Sequence, residues 1–299
     1  MMEILKAPFP YFGGKSRVSE LIWDRFGNVN NVVEPFFGSG AVLLGRPRSH
    51  APFGTETIND LDCMVANFWR ALQHDPDAVA FHADNPVNEA DQHARHLWLC
   101  SQVEFRERMK VDPEFYDTKI AGWWVHRKLF RQVPVMNSSG MGVCRVEPRD
   151  MDMSISILAY MHQLADRLRR VRVCCGDWQR ICGPSVTFKH GITGVFLDPP
   201  YADTAGRDAT IYAEESLTVA HDVRRWAIEN GDNPLLRIAL CGYEGEHEMP
   251  ESWECVAWRA SGGYGSQGNN AARENKHRER IWFSPFCRRE NSLFGSMET

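Results

Sequence analysis

The sequence predicts an α/β fold, in which a mixed, open sheet of seven strands is covered by helices on both faces. Three observations support this prediction. Seven short β-rich runs recur along the 299 residues, helical patterns separate most of them, and several runs are continuously apolar, as in strands buried on both faces. Hydrophobic residues make up 43% of the chain, enough to build a sizeable core.

The strands are justified one by one by short runs of β-branched and apolar residues. They are Val32–Glu34, Glu56–Ile58, Val171–Cys175, Gly194–Asp198, Leu236–Cys241, Trp253–Trp258 and Arg280–Ser284. Apolar residues at helical spacing predict helices over 153–170 and 214–230, the second ended by Gly231. A glycine-rich loop over 261–270 joins the last two strands, which predicts an antiparallel hairpin at one edge of the sheet.

Residues 86–152 interrupt the alternation of strands and helices. The segment is rich in Trp, His, Arg and Met and contains no strand pair, which predicts a helical subdomain inserted between residues 1–85 and 153–299. Residues 119–149 contain six Lys or Arg and one acid, a net charge of +5, whereas the whole chain has −5. Such a segment is typical either of solvated helix faces or of a local surface for a polyanion.

Composition excludes several classes of protein. An acidic chain does not bind polyanions over its whole surface as a histone does. No window approaches 18 consecutive apolar residues and the N-terminus has no apolar core of a signal peptide, so we expect a cytoplasmic protein without membrane spans. Nine cysteines without C-x-x-C spacing predict reduced thiols and no metal site.

A glycine-containing segment, Glu34 to Gly40, follows the first strand and precedes a helix. Its glycines permit a tight turn and a close approach of a ligand to the backbone. A nicotinamide dinucleotide site would require glycine where the chain has Leu43, and the Glu34 carboxylate would repel a pyrophosphate. The segment favours a cationic or neutral ligand group, although an ordinary glycine turn explains it equally well when it is taken alone.

Asn59-Asp60 ends the second strand, and Asp60 lies 20 residues after Gly40. In doubly wound folds an acidic residue near this spacing accepts hydrogen bonds from ribose hydroxyls. The same position is equally typical of the N-cap of a helix over 61–73. The two interpretations are compatible, and both stay open on this evidence.

The most specific segment is Asp198-Pro199-Pro200-Tyr201, directly after an apolar strand. Ligands bind at the carboxyl ends of strands in open α/β sheets. Because each proline lacks an N–H donor, the local surface is rich in acceptors. Asp198 and the Pro199 carbonyl could therefore receive both hydrogens of one amino group, while Tyr201 offers a ring for stacking.

In order and spacing these segments resemble the Dam-like (D12 class, α-group) DNA adenine-N6 methyltransferases. The resemblance rests on residues 8–15, 34–40, 59–60 and 198–201, with a large insertion before the last. Cys175-Gly176-Asp177-Trp178 is similar to the family's third cofactor motif, with Trp178 where the family usually has Phe. Residues 241–244 and 275–283 look like its later segments. The family implies a Rossmann-like catalytic domain and makes residues 86–152 its target-recognition subdomain.

The resemblance implies S-adenosyl-L-methionine as the cofactor. It places residues 11–15 near the methionine end, the glycine segment at the central turn, Asp60 at the ribose, and Asp177 with Trp178 at the adenine. The implied cofactor-binding residues are Tyr11, Gly14, Lys15, Glu34, Gly38, Ser39, Gly40, Asp60, Asp177 and Trp178.

The implied reaction methylates N6 of adenine in double-stranded DNA, with Asp198, Pro199, Pro200 and Tyr201 as the catalytic segment. The N6 lone pair is delocalised into the ring, so two acceptors that hold both amino hydrogens would favour a pyramidal, nucleophilic nitrogen. The geometry requires a flipped base, on which Tyr201 would stack. No metal is needed.

Double-stranded DNA is the implied partner, and we expect the chain to be a monomer. The basic segment then supplies contacts to phosphates or base edges. The implied DNA-binding residues are Lys119, Arg127, Lys128, Arg131, Asn137, Ser138 and Arg145.

Two alternatives remain at this point. A methyltransferase acting on another planar amino group, in an RNA base or a protein glutamine, more often carries Asn where this chain has Asp198. A non-catalytic DNA-binding relative would be expected to lack motif side chains that are all present here.

Overall fold

One seven-stranded sheet organises the chain and confirms the predicted fold class. The structure is a computed structural model that describes residues 5–9, 11, 15–84, 89–129, 157–200, 218–258 and 278–289. The strand order is β3-β2-β1-β4-β5-β7-β6. The strands are β1 Asn31–Glu34, β2 Thr55–Asp60, β3 Val171–Cys175, β4 Thr193–Leu197, β5 Leu236–Tyr243, β6 Glu254–Ala257 and β7 Glu279–Phe283.

Five strands are parallel and two are not. β3, β2, β1, β4 and β5 pair in parallel, and β7 is antiparallel to both β5 and β6. The predicted hairpin therefore forms at one edge, with β6 outermost. β1 and β4 are buried along their whole length, as expected for central parallel strands.

Helices cover both faces of the sheet. Those of the described residues are α1 Ser19–Phe26, α2 Ala41–Leu44, α3 Cys63–His74, α4 Pro76–Ala83, α5 Glu89–Cys100, α6 Val103–Val111, α7 Thr118–Leu129, α8 Ile157–Leu168 and α9 Val219–Asn230. The last two confirm the predicted helices at 153–170 and 214–230 where these are described. Short 3-10 turns occur at Arg48–His50, Trp178–Ile181 and Phe188–His190.

Side chains of β5 show how the two layers of the core divide. Ala239 and Cys241 face a cluster formed with α1, α3, α4, α7 and α8. Ile238 and Leu240 face the opposite cluster, which includes α9 and Trp178. This alternation is the period-two pattern of a strand, and it makes the sheet the middle of three layers.

The described part of the predicted insertion, residues 89–129, is helical as expected. α7 packs against α3 and α4, and Ile120 and Trp124 belong to the same core cluster as α3. Residues 130–152 lie outside the described residues, and the division of the chain at residues 85 and 153 stays a prediction.

A buried ionic group ties β2 to its neighbours. The Glu56 carboxylate accepts hydrogen bonds from Arg46 at 3.0 Å and from Arg167 at 2.7 and 2.8 Å. Both guanidiniums also pack on the Phe53 ring, 4.8 and 4.6 Å from its centroid. Because all three charges are buried, removing one leaves the others without compensation.

A search of the described helices for a membrane span was negative: none is both long and apolar enough to cross a bilayer.

Candidate active site

Acidic side chains gather at the carboxyl edge of the parallel strands. Glu34 ends β1, Asp60 ends β2, and Asp177 and Asp198 follow β3 and β4. β1 and β4 are adjacent. The strands that follow β1 in the chain, β2 and β3, lie on one side of this pair, and β5 lies on the other. This is the switch point at which open α/β sheets form their binding crevice.

The glycine segment after β1 is held by close contacts that only glycine permits. Gly38 has φ +50°, and a Cβ there would lie 2.6 Å from the Tyr11 ring. The Trp69 indole donates a hydrogen bond of 2.9 Å to the Gly38 carbonyl, while Gly40, at φ +73°, starts α2. Together with buried Ser39, these residues form the predicted tight turn, which packs against the N-terminal segment.

Asp60 is bound to this turn through its carboxylate. Oδ2 accepts from the Gly38 amide and Oδ1 from the Asp62 amide, both at 2.9 Å. Burial raises the pKa of Asp60 to about 7, and the nearby Asp62 carboxylate adds to the rise.

The interpretation of Asp60 as a helix N-cap is wrong. α3 begins two residues later than expected, and its cap is Asp62, whose side chain accepts from the Met64 amide at 2.8 Å. The Asp60 carboxylate therefore does not cap α3 and is not excluded from contacting a ligand.

Asn59 connects two loops of the site, a role for which the sequence analysis had no signal beyond a polar residue at a strand end. Its buried amide donates to the carbonyls of Pro35 at 3.0 Å and Gly176 at 2.9 Å. The loop after β1 and the loop after β3 are thus fixed at a set separation.

Glu34 is 1% exposed, and its Oε1 has no hydrogen-bond partner in the part of the chain that the structure describes. Burial raises the pKa of Glu34 well above its usual range, and the Glu56 carboxylate adds to this effect. An orphaned buried carboxyl oxygen is costly. A cationic ligand group would supply its partner and favour its ionised form.

Asp177 and Trp178 begin a short turn beside the first loop. Asp177 caps this turn by accepting from the Gln179 amide at 2.8 Å, and its side chain is exposed. The Trp178 ring is buried, with its centroid 6.2 Å from that of Phe36 and the two planes inclined by 32°. Trp226 of α9 meets it edge-on at 6.4 Å.

The N-terminal segment reaches the end of β4. Lys15 Nζ lies 2.9 Å from Asp198 Oδ2, and the two side chains are 4% and 18% exposed. The Trp258 ring centroid is 5.4 Å from the same nitrogen. Lys15 therefore contacts the segment that begins at Asp198, a neighbour that the sequence did not predict for it. Trp258 was also missed, because nothing in its own sequence context indicates a ligand.

Lys15 is held chiefly by the Asp198 carboxylate. Burial lowers its pKa, but the Asp198 carboxylate raises it, helped by Cys241 and Glu279, and the net pKa lies above the usual value. Next to the pair, Pro199 is buried and Pro200 half-buried. One ion pair thus joins the N-terminal segment, residues 8–15, to the segment that begins at Asp198.

Several predicted residues cannot be placed at this site. Gly14, Tyr201, Arg131, Asn137, Ser138 and Arg145 lie outside the described residues. Arg127 and Lys128 belong to α7, whose backbone alone is described there. Lys119 is exposed at the start of α7, with Nζ 4.8 and 4.4 Å from the ring centroids of Trp98 and Trp123.

The chemistry of the site is that of acceptors and aromatic faces. Within the described ranges, no group of three or more His, Cys, Asp or Glu side chains could hold a metal ion. The cysteines described there are free thiols.

Comparison with known proteins connects this geometry to one family. The family model for D12 class N6 adenine-specific DNA methyltransferases matches residues 11–230, which include all four acidic residues of the site and more than two thirds of the chain. No curated protein matches the chain.

Proposed function

Because the chain belongs to the D12 class of N6 adenine-specific DNA methyltransferases, we propose that it takes its methyl group from S-adenosyl-L-methionine and delivers it to a flipped adenine of duplex DNA. The observation that carries the proposal is the arrangement of two acids at the carboxyl ends of the adjacent strands β1 and β4. Glu34 ends β1, and one of its buried carboxyl oxygens lacks a partner among the described residues. Asp198 directly follows β4 at the same edge of the sheet. When bound, the cofactor supplies an electrophilic methyl group.

The residues of the crevice fit such a cofactor. Glu34 Oε1 would accept from its ammonium group, and the cofactor's positive charge offsets the cost of burying that carboxylate. Asp60 already accepts from two amides, and a carboxylate has about four acceptor sites. Its two remaining sites suit the two hydroxyls of a ribose.

The neighbouring aromatic side chains suit the adenine of the same cofactor. Phe36 and Trp178 lie 6.2 Å apart with their planes only 32° from parallel, so a flat base can contact both after a small opening. The exposed Asp177 carboxylate would accept from the exocyclic amino group of that base. Trp178 replaces the usual Phe without loss of the stacking surface.

Asp198 and the Pro199 carbonyl would hold the two hydrogens of the target N6. Two acceptors aimed at one amino group favour a pyramidal nitrogen and point its lone pair away from them. The acceptors come from adjacent residues of one short segment after a buried strand, so the backbone places the Pro199 carbonyl directly beside the Asp198 side chain. Tyr201 would replace the stacking that the base loses when it leaves the duplex.

The basic segment would bring the duplex to this crevice. α7, Thr118–Leu129, carries the first part of the basic segment 119–149, which the resemblance assigns to target recognition. We place Arg127, Lys128, Arg131, Asn137, Ser138 and Arg145 at the DNA on that basis, with Lys119 at the start of the same helix.

The test of the catalytic proposal is the product. Purified protein with S-adenosyl-L-methionine should form N6-methyladenine in duplex DNA, and Asp198→Ala should abolish its formation while cofactor binding persists. Asp232→Ala, which removes an exposed acid remote from the crevice, is the matched control. The proposal would be overturned if none of the tested DNA sequences acquired N6-methyladenine, or if RNA or protein glutamine were methylated instead.

The DNA interface has its own test. Lys128→Ala with Arg131→Ala should weaken binding at low salt, and should reduce the slope of log K against log salt by about 0.9 for each phosphate that is no longer neutralised. Lys189→Ala, at an exposed lysine on a different turn, should leave the slope unchanged. An unchanged slope in the double variant would show that these two basic residues are solvated and do not contact DNA phosphates.

A further inference from the structure

The ion pair between Lys15 and Asp198 is the feature of the site that the proposed function leaves unexplained. The resemblance placed Lys15 at the methionine end of the cofactor. In the structure its ammonium lies 2.9 Å from Asp198 Oδ2, at the acceptor end of the crevice. A buried ammonium this close to a carboxylate forms a charge-assisted hydrogen bond, which is among the strongest in proteins.

The surroundings restrict the lysine to this position. Its side chain is 4% exposed, and the face of Trp258 lies on another side of the ammonium, 5.4 Å from the ring centroid. The buried Glu279 carboxyl is a further acidic group close enough to favour the ammonium. Moving Lys15 toward the cofactor would therefore separate a buried charge from its partners, which is strongly unfavourable.

We propose that Lys15 is a positioning residue for the methyl transfer: its ammonium holds the Asp198 carboxylate in one rotation about the Cβ–Cγ bond and places a positive charge beside it. The proposal rests on the proposed function, because it assigns Asp198 to the target amino group. It differs from the sequence-based assignment, since it gives Lys15 no role in holding the cofactor.

The chemistry of the target amino group explains why this support is needed. N6 gains positive charge when it acquires a fourth bond, and it keeps that charge until one of its protons leaves. An ionised carboxylate stabilises this charge, whereas a protonated one does not.

Lys15 contacts the carboxylate at Oδ2, and a carboxylate offers about four acceptor sites. The pair is also neutral as a unit. An unpaired ammonium at this place would repel a positively charged methyl donor, and pairing removes that repulsion.

The experiment compares Lys15→Met and Lys15→Arg in single-turnover methylation of duplex DNA, with cofactor and DNA saturating. For Lys15→Met we expect a rate at least about tenfold lower at neutral pH, with the acid limb of the pH–rate profile moved up by about one pH unit. The dissociation constant for the cofactor should change less than about threefold. Lys15→Arg should restore the acid limb toward that of wild type.

Two comparisons make the result specific. Lys189→Met, at an exposed lysine, should behave as wild type. In an Asp198→Glu background, whose acceptor is displaced, Lys15→Met should produce a smaller rate loss than in wild type, because the pair is already misaligned. A raised dissociation constant for the cofactor with an unchanged single-turnover rate would overturn the proposal and restore Lys15 to the cofactor site.

The ion pair is tested separately from catalysis by chemical denaturation of wild type, Lys15→Met, Asp198→Asn and the double variant. We expect the double variant to lose less stability than the sum of the two single losses, because each single change leaves a buried partner uncompensated. Additive losses would overturn the pair. If the stability losses are coupled but the wild-type protein forms no N6-methyladenine, the ion pair stands. The proposed function is then overturned, and with it the role of Lys15 in transfer.

Discussion

We predict that Asp60 links the pH of the medium to cofactor binding. Its carboxylate accepts the Gly38 and Asp62 amides at 2.9 Å, one at each oxygen, and burial raises its pKa to about 7. If the ionised form binds the ribose hydroxyls, the dissociation constant for S-adenosylhomocysteine should rise as pH falls below 7. At pH 6 only about one tenth of the carboxyl groups are ionised, so binding should be about tenfold weaker than at pH 8.

Replacing Asp60 by Asn removes both the charge and the titration. A neutral amide gives a ribose hydroxyl a weaker hydrogen bond than a carboxylate does, and the loss of one charge-assisted hydrogen bond to the ligand costs roughly 1.5–3 kcal/mol. This corresponds to a dissociation constant roughly 10- to 150-fold higher at pH 8. The variant should show no change between pH 6 and 8, so its deficit relative to wild type should shrink on acidification.

Stability should follow the same titration with a defined sign. The carboxyl pKa is higher in the folded chain than the usual 3.8, so the native state binds the proton more tightly than the unfolded state does. The unfolding free energy of wild type should therefore fall, relative to Asp60→Asn, as pH rises from about 4 to about 7, by at most about 1.4 kcal/mol per pH unit. Above pH 7 the difference should stay constant.

Isothermal titration calorimetry with S-adenosylhomocysteine at several pH values measures the first effect, and urea denaturation measures the second. The matched control is Asp75→Asn, which alters another capping aspartate at the start of α4, away from the crevice. A wild-type affinity that is flat between pH 6 and 8, or the same slope in Asp60→Asn, would refute the reasoning.

Three further predictions concern the support of the site. Gly38→Ala should weaken cofactor binding and lower the melting temperature in differential scanning fluorimetry, because its Cβ would lie only 2.6 Å from the Tyr11 ring. The control is Gly245→Ala, at φ +82°, where an added Cβ meets no atom within 4 Å. It should show only the backbone strain of about 1–2 kcal/mol. Glu56→Gln should cost about 3–5 kcal/mol in urea denaturation, since two buried guanidiniums lose their anion, and a loss below about 1 kcal/mol would contradict that account. Asn59→Ala leaves two loop carbonyls without a donor, so cofactor affinity should fall by more than about tenfold in calorimetry; an unchanged affinity would show that the loops keep their separation without it.

The architecture was predictable because it depends on local patterns. A strand buried on both faces is a short apolar run, as in β4, and the absence of a helix between β6 and β7 indicates an antiparallel connection. Helix starts were less predictable. Asp60 and Asp62 are both suitable caps by residue type, and only the hydrogen bond from Met64 to Asp62 decides between them.

Sequence order alone determined the α/β class, the acidic residues at the strand ends and the family that these segments resemble, because motifs of this kind are short and contiguous. The partners of those residues were decided by tertiary structure. Asn59 joins two loops, and Lys15 meets Asp198. Such contacts join residues far apart in the chain, and their energies depend on burial and on neighbouring charges, which only the packed sheet establishes.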